Sequence, residues 1–251
     1  MGCFVTDCSD IMLYQNKPTL QHGQDLRGLP TYTIPEAAKY LAVDSWELDY
    51  WYSGNEPILK ASGIYGNGEI KLLSFWDLEE AYKVFVLHRM FGYSLQRIRK
   101  NLAKARHESG LDHPLIQEDI RVWKQGLVLV KPGHGRRKRQ AIALAGFQDL
   151  VIPEVIDTWG KRIVVTRGRT EIFPWRFAKK EEINLPARDL IRPVSLSPDV
   201  MSGRLVITGT RIPVRLIQGR QLAGDSPEKI AKDYGIKVEL VRNALRHIVD
   251  A

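Results

Sequence analysis

The stretch SPEKIAKDYGIKVELVRNAL (226–245) constrains the fold more than any other part of the chain. Ser226 is a helix N-cap, and Pro227 takes the first helical position, where a missing N–H costs nothing. Ile230 and Ala231 define an inner face, and Gly235 supplies the left-handed residue that closes a short helix. Apolar spacing resumes through Ile236, Val238, Val241, Ala244, Leu245 and Ile248, which predicts a second helix. Two short helices joined by so tight a turn have the grammar of a helix-turn-helix, with one side of the second helix facing outward. That side carries Lys237, Glu239, Arg242, Asn243, Arg246 and His247. Arg suits guanine edges, Asn suits adenine, and Lys suits the phosphate backbone, so Lys237, Arg242, Asn243 and Arg246 are candidate DNA contacts. A helical hairpin that only packs or dimerises is the competing reading.

The same grammar occurs near the start, in TIPEAAKYLAVDSWELDYW (33–51). Thr33 and Glu36 suit a capping box, and Ala37, Ala38 and Leu41 give a narrow apolar face. After a turn at Ala42-Val43-Asp44, Ser45 suits the cap of a second helix bearing Trp46, Leu48 and Trp51. This second helix carries Asp44, Glu47 and Asp49 and no Lys or Arg over 45–52, so its charge opposes a phosphate-lined groove. Residues 53–70 are rich in Gly, Asn and Ser, with strand-like Ile64-Tyr65 and Ile70, which predicts a hairpin or wing. Ser74 with Asp77 opens a longer helix whose stripe is Phe75, Leu78, Tyr82, Phe85 and Val86. Gly92 ends it, Ser94 starts another with Leu95, Ile98, Leu102 and Ala105, and Gly110 with His113-Pro114 closes the block. From Ala81 to His107 stand Lys83, Arg89, Arg97, Arg99, Lys100, Lys104 and Arg106 with no Asp or Glu. Arg97 and Lys100 are therefore candidate backbone contacts, with little base reading by this module.

From 119 to about 180 the pattern changes to short β-prone runs, GLVLVKPG, QAIALAG, RIVVTRGR and EIFPWRF, separated by Gly and Pro. The run KPGHGRRKR predicts an exposed basic loop in which Arg136, Arg137 and Arg139 are candidate phosphate contacts. VSLSPDVMSGRLVITGTRIPV then predicts two short strands about a Ser-Gly turn, a Gly-Thr-Arg corner and a helix near 214–223. Residues 1–29 read as a polar leader expected to be flexible. The expected organisation is a leader (1–29), a winged helix (30–116), a β-rich connecting segment (117–190) and a C-terminal helix-turn-helix domain (191–251). The fold class is mainly α with a small β component.

At 251 residues with a net charge of +8, the chain has room for several modules and favours an acidic partner, nucleic acid first. Its two cysteines, Cys3 and Cys8, exclude a disulfide framework, and a zinc site would need His22 and a further ligand; no metal and no cofactor are expected. No long apolar run and no signal-peptide pattern occur, which points to a cytoplasmic protein without membrane association. The opening MGCFVT matches a myristoylation pattern loose enough to arise by chance. The six histidines are scattered, with no HExxH, nucleophile elbow or P-loop, so an enzyme is not expected.

Taken together, YTIPEAAKYLAVDSWELDYW, the Gly-rich wing, LSFWDLEEAYKVFVLHRMFGYSLQRIR and HPL resemble a MerR-like winged helix over about 32–115. In that family the second helix usually carries a Thr-Leu-Arg triplet; here the matching positions are Glu47, Leu48 and Asp49. The last sixty residues, with GRLVITGTRIPV, LAGDSPEKIAKDYGI and ELVRNAL, resemble the homeodomain-like domain of VapB-type antitoxins. The element Gly209-Thr210-Arg211-Ile212-Pro213-Val214 is the most specific part of that likeness. The resemblance implies an antitoxin of a type II toxin-antitoxin system that neutralises a PIN-like ribonuclease toxin. It also implies a homodimer that binds double-stranded operator DNA and represses its own operon. Arg211 is a weak candidate for toxin contact, set against a turn-fixing role for its corner. The alternative is a stand-alone MerR-like transcription regulator responding to a ligand, with Trp46, Trp51, Phe75, Trp76, Tyr82 and Phe85 about a pocket.

Overall fold

The computed structural model describes residues 25–66, 70–116, 120–123, 126–131, 140–143, 161–166, 169–174, 190 and 192–249. The basic run at 132–139, with Arg136, Arg137 and Arg139, lies outside these residues, as do Cys3, Cys8 and His22.

The N-terminal module opens with β1 (Tyr32–Thr33), which feeds α1 (Ile34–Leu41). Thr33 caps α1 by accepting the Glu36 N–H at 3.4 Å. The Glu36 side chain does not close the expected box but accepts the Tyr40 hydroxyl at 2.9 Å. Ala42 ends the helix in the left-handed region, and α2 (Ser45–Trp51) follows. The cap position of α2 belongs to Asp44 rather than Ser45, and its side chain makes no capping bond. A hairpin of β2 (Gly63–Tyr65) and β3 (Ile70–Leu73) forms the wing, and β1 pairs with the other edge of β3. Ser74 and Asp77 then form the reciprocal capping box of α3 (Phe75–Phe85), which runs on as a π-turn over Val86–Met90. Ser94 caps α4 (Leu95–Ser109), and Gly110 closes it.

Helix α3 is the centre of this module and is buried nearly all round, charged residues included. Its Leu78 and Tyr82 share one core with Leu48, Trp51, Leu73, Ile98 and Leu102. Burying side chains of this size stabilises by about 1.5–3 kcal/mol each, before the entropy of ordering them. The module reaches back to Asp25: a 3-10 turn at Leu26–Gly28 sets Arg27 over the Trp76 ring at 5.8 Å.

The β-rich segment contains a meander, β4 (Ile120–Trp123), β5 (Gly126–Lys131) and β6 (Gln140–Ala143), and a hairpin, β7 (Ile163–Thr166) with β8 (Arg169–Ile172). The β7–β8 hairpin is not an independent unit. Ile163 and Ile172 belong to the core of the first module, and Ile172 bridges to Leu196.

The C-terminal module begins with β9 (Val194–Ser195) paired antiparallel to β10 (Val206–Ile207). Next come α5 (Val214–Leu222), α6 (Pro227–Tyr234) and α7 (Val238–Val249). Its own core gathers Val194, Ile207, Val214, Ile217, Ile230, Ala231, Val241, Ala244 and Leu245. The molecule is thus mainly α with a small β component. Among the described residues no helix is long and apolar enough to cross a membrane.

Candidate nucleic-acid interface

Helices α6 and α7 are set by local chemistry. Ser226 accepts the Lys229 N–H at 3.2 Å, Pro227 opens the helix, and Gly235 takes φ +63, a conformation that a side chain disfavours. Ile230, Ala231, Val241, Ala244 and Leu245 turn inward, while Ile236 and Val238 are half-buried at the edge. This leaves Lys237, Glu239, Arg242 and Arg246 exposed and Asn243 half-buried, each within one helical turn of the next. Among the described residues no carboxylate pairs with Lys237 or Arg246. Arg242 differs: its Nη2 donates to Glu228 on α6, so its charge is partly answered within the protein. A hydrogen bond from Glu228's own backbone N–H, and after it the bond from Arg242, hold the Glu228 carboxyl below the ordinary carboxylate range. Arg220 and Lys229 likewise converge on Asp225, and Arg220 reaches Asp233.

The Gly-Thr-Arg corner has a clear structural task. Thr210 donates to the Ile207 carbonyl at 2.8 Å and accepts the Ile212 N–H at 3.1 Å, with Gly209 at φ +76. Arg211 itself is exposed.

In the N-terminal module the charges do not lie as a linear count suggests. Glu47 is only 7% exposed and accepts from Arg89 at 2.5 Å. Asp49 takes Lys71 of β3 at 2.7 Å and the Ser53 hydroxyl at 3.0 Å, which together hold its carboxyl below the usual range. Two of the three carboxylates of this stretch are thus answered by cations, while Asp44 stays exposed at the helix start, and the outer side of α2 carries no basic residue. It presents Trp46 and Tyr50 instead, 73% and 48% exposed.

The seven cations of 81–107 also fail to form one surface. Lys83 is buried and donates to Glu79 at 2.7 Å and to the Leu115 carbonyl at 2.8 Å. Arg106 turns in to the carbonyls of Ile58 and Asp112. Arg97 and Lys100 are exposed on α4, Arg97 lying 4.5 Å from the Tyr93 ring.

Beneath α3 lies a buried polar cluster that sequence reasoning missed. His113 Nδ1–H donates to Glu80 at 3.1 Å, and its Nε2 lies 3.6 Å from Asp77. Asp77 accepts N–H groups of Ser62 and Ser74 at 2.8 and 2.7 Å, tying the wing to the helix start. Burial alone lowers the His113 pKa, but the Glu80 hydrogen bond and the charges of Glu80, Asp77 and Asp112 outweigh it and raise it. Burial raises the Asp77 carboxyl, against its hydrogen bonds and His113. Beside this cluster lies a cleft of about 540 Å³ lined by Trp76, Lys60, Asp112 and His113. The six aromatics expected about a pocket do not converge there: Trp51, Phe75 and Tyr82 are core, and Trp46 is on the surface. Among the described residues no group of three or more His, Cys, Asp or Glu is placed to hold a metal.

Comparison with known proteins adds two findings. The family described as "protein of unknown function (DUF433)" matches residues 194–247, the β9-to-α7 module. The X-ray crystal structure of Rv2018 from Mycobacterium tuberculosis is similar, with a TM-score of 0.57 and 23% identity, covering 86% of this chain and 98% of that one. A likeness at that identity is one of fold. No curated protein matches the chain.

Proposed function

We propose that this chain is the antitoxin of a type II toxin-antitoxin system. It binds duplex DNA upstream of its own genes through α7 and neutralises a PIN-like ribonuclease made beside it, in the cytoplasm, without catalysis. The observation that carries the DNA half is the outer side of α7, where Lys237 and Arg246 are exposed with no carboxylate partner among the described residues. A homodimer on a palindromic site would set two copies of α7 in successive major grooves. The nuclease half rests on the resemblance of the C-terminal residues to VapB-type antitoxins. Arg211, solvent-facing on a rigid corner, is free to meet such a partner.

The test is a gel shift with duplex from upstream of the gene, paired with co-expression of the adjacent nuclease gene. Arg246→Ala is expected to cost about 1–3 kcal/mol of binding if the guanidinium meets a base. Unchanged shifts for both Arg242→Ala and Arg246→Ala would remove α7 as the reading helix. A ligand-responsive regulator is the second reading, favoured by the cleft beside Trp76; absence of any nuclease neighbour together with DNA binding would decide for it.

A further inference from the structure

Asp77 is a clamp with one jaw unfilled. Its Oδ2 accepts the Ser62 N–H at 2.8 Å and the Ser74 N–H at 2.7 Å, which ties the chain entering the wing to the start of α3. Its Oδ1 is also buried and has no hydrogen-bond partner among the described residues. The group facing that oxygen is His113. Its Nε2 stands 3.6 Å away, too far for a made hydrogen bond and near enough for an ion pair. On the other edge of the ring Nδ1 donates to Glu80 at 3.1 Å, and Glu80 also accepts the Leu115 N–H at 3.3 Å.

The imidazole is set between two carboxylates of α3 whose side chains are no more than 1% exposed. A neutral ring has a single N–H. Spent on Glu80, it leaves a lone pair turned to Asp77 Oδ1, so two acceptors face each other away from solvent. The imidazolium donates on both edges and removes that conflict. The neighbouring cations among the described residues are engaged elsewhere. Arg106 of α4 lies 3.9 Å from Glu80 but directs Nη2 and Nε to the carbonyls of Ile58 and Asp112. Lys60 pairs with Asp112 at 2.8 Å, Lys83 with Glu79 and Arg27 with Asp25. The cleft beside Trp76 is lined by Lys60 and Ser62 from the chain entering the wing and by Asp112 and His113 from the loop after α4. Asp77 therefore joins two segments of that lining, one through each oxygen.

We propose that His113 is a proton-operated latch: as the cation it seats Asp77 and holds the wing entry, the start of α3 and the 111–116 loop together around the cleft, and as the neutral ring it releases them. The ring is 14% exposed and lines the cleft, so its proton leaves to solvent there. Burial works against the cation, but the Glu80 bond and the charges of Glu80, Asp77 and Asp112 outweigh it and lift the titration above 6.5. The latch is closed below 6.5 and opens as pH rises through the folded value. This device is independent of the antitoxin reading.

The experiment follows amide hydrogen exchange of the full chain by NMR from pH 6 to pH 9, each rate corrected for its intrinsic pH dependence, together with the ring nitrogens of His113. The reference amides are those of Ile98 and Leu102, in α4 and the apolar core. The expected result is a protection of Ser62, relative to these, that falls by up to about tenfold per pH unit between 6.5 and the His113 midpoint and then levels. In His113→Gln the same ratio should stay flat. A ratio that is flat through the midpoint in the wild type, or one that keeps its pH dependence in His113→Gln, overturns the latch. Should that variant not fold, the wild type decides alone: a neutral His113 ring at pH 6, or a midpoint at or below 6.5, refutes the proposal.

Discussion

Removing one hydroxyl tests whether the two helical modules are joined as a unit. Tyr32 of β1 is buried and donates to the Gly203 carbonyl at 2.7 Å, across 171 positions of sequence. Tyr32→Phe keeps the ring and its contacts but deletes that donor. A typical hydrogen bond contributes about 1 kcal/mol net, and a buried carbonyl left without a donor raises the loss to about 1–3 kcal/mol. For a chain of this length each kcal/mol moves the melting temperature by about 2–4 °C. Gly203→Ala attacks the same contact from the other side. The added Cβ would lie 2.2 Å from the Tyr32 oxygen, at a residue with φ +79, so its cost should exceed that of the tyrosine change. In the double variant the clash with the oxygen is gone while the 3.2 Å approach to the ring carbon remains, so the two costs should not add. Urea unfolding followed by circular dichroism reads all three, and an unchanged m-value shows that only stability moved. Strict additivity, or a Tyr32→Phe midpoint equal to the wild type, would refute the coupling.

Four further outcomes are expected. Arg246→Ala weakens binding to upstream duplex and relaxes sequence preference, read by gel shift against mutated sites. Glu228→Gln frees Arg242, so DNA affinity should rise and the salt slope should steepen by about one unit; an unaltered slope would show that Arg242 meets no phosphate. Arg89→Met strands the buried Glu47 carboxylate and should cost about 1–3 kcal/mol in urea unfolding, with no effect if Glu47 simply turns to water. The last concerns pH. His113 is held above its ordinary 6.5, so it binds its proton more tightly folded than unfolded. Its contribution is fully present below 6.5 and is lost as pH rises through the folded value. The urea midpoint of the wild type should therefore fall more between pH 6 and pH 8 than that of His113→Gln. Parallel profiles would place the pH dependence elsewhere.

Much of the fold was legible because its signals are local. Ser226, Pro227 and Gly235 fix the ends of α6 within ten residues, and Ser74 with Asp77 opens α3 in the same way. The wing and the short β runs were legible from their turn residues and β-prone composition. The all-cationic count of 81–107 misled because the window began two residues too late. Glu79 and Glu80, just upstream, hold Lys83 and the His113–Arg106 cluster, and the four-residue step from Glu79 to Lys83 was the signal available. The acidic character of α2 misled for a different reason, since the partners of Glu47 and Asp49 lie 42 and 22 positions away.

The sequence by itself determined the helices, their caps and the inward faces of both helix-turn-helix units, because backbone propensity and apolar periodicity act over a turn or two of chain. Only the tertiary structure decided which charges meet water. Ion pairs such as Glu47–Arg89 and the bond from Tyr32 to Gly203 depend on how distant segments close on one another, and no local period encodes that closure. For that reason α2 emerges with an aromatic outer side and α7 with a cationic one, although the two stretches of sequence share one grammar.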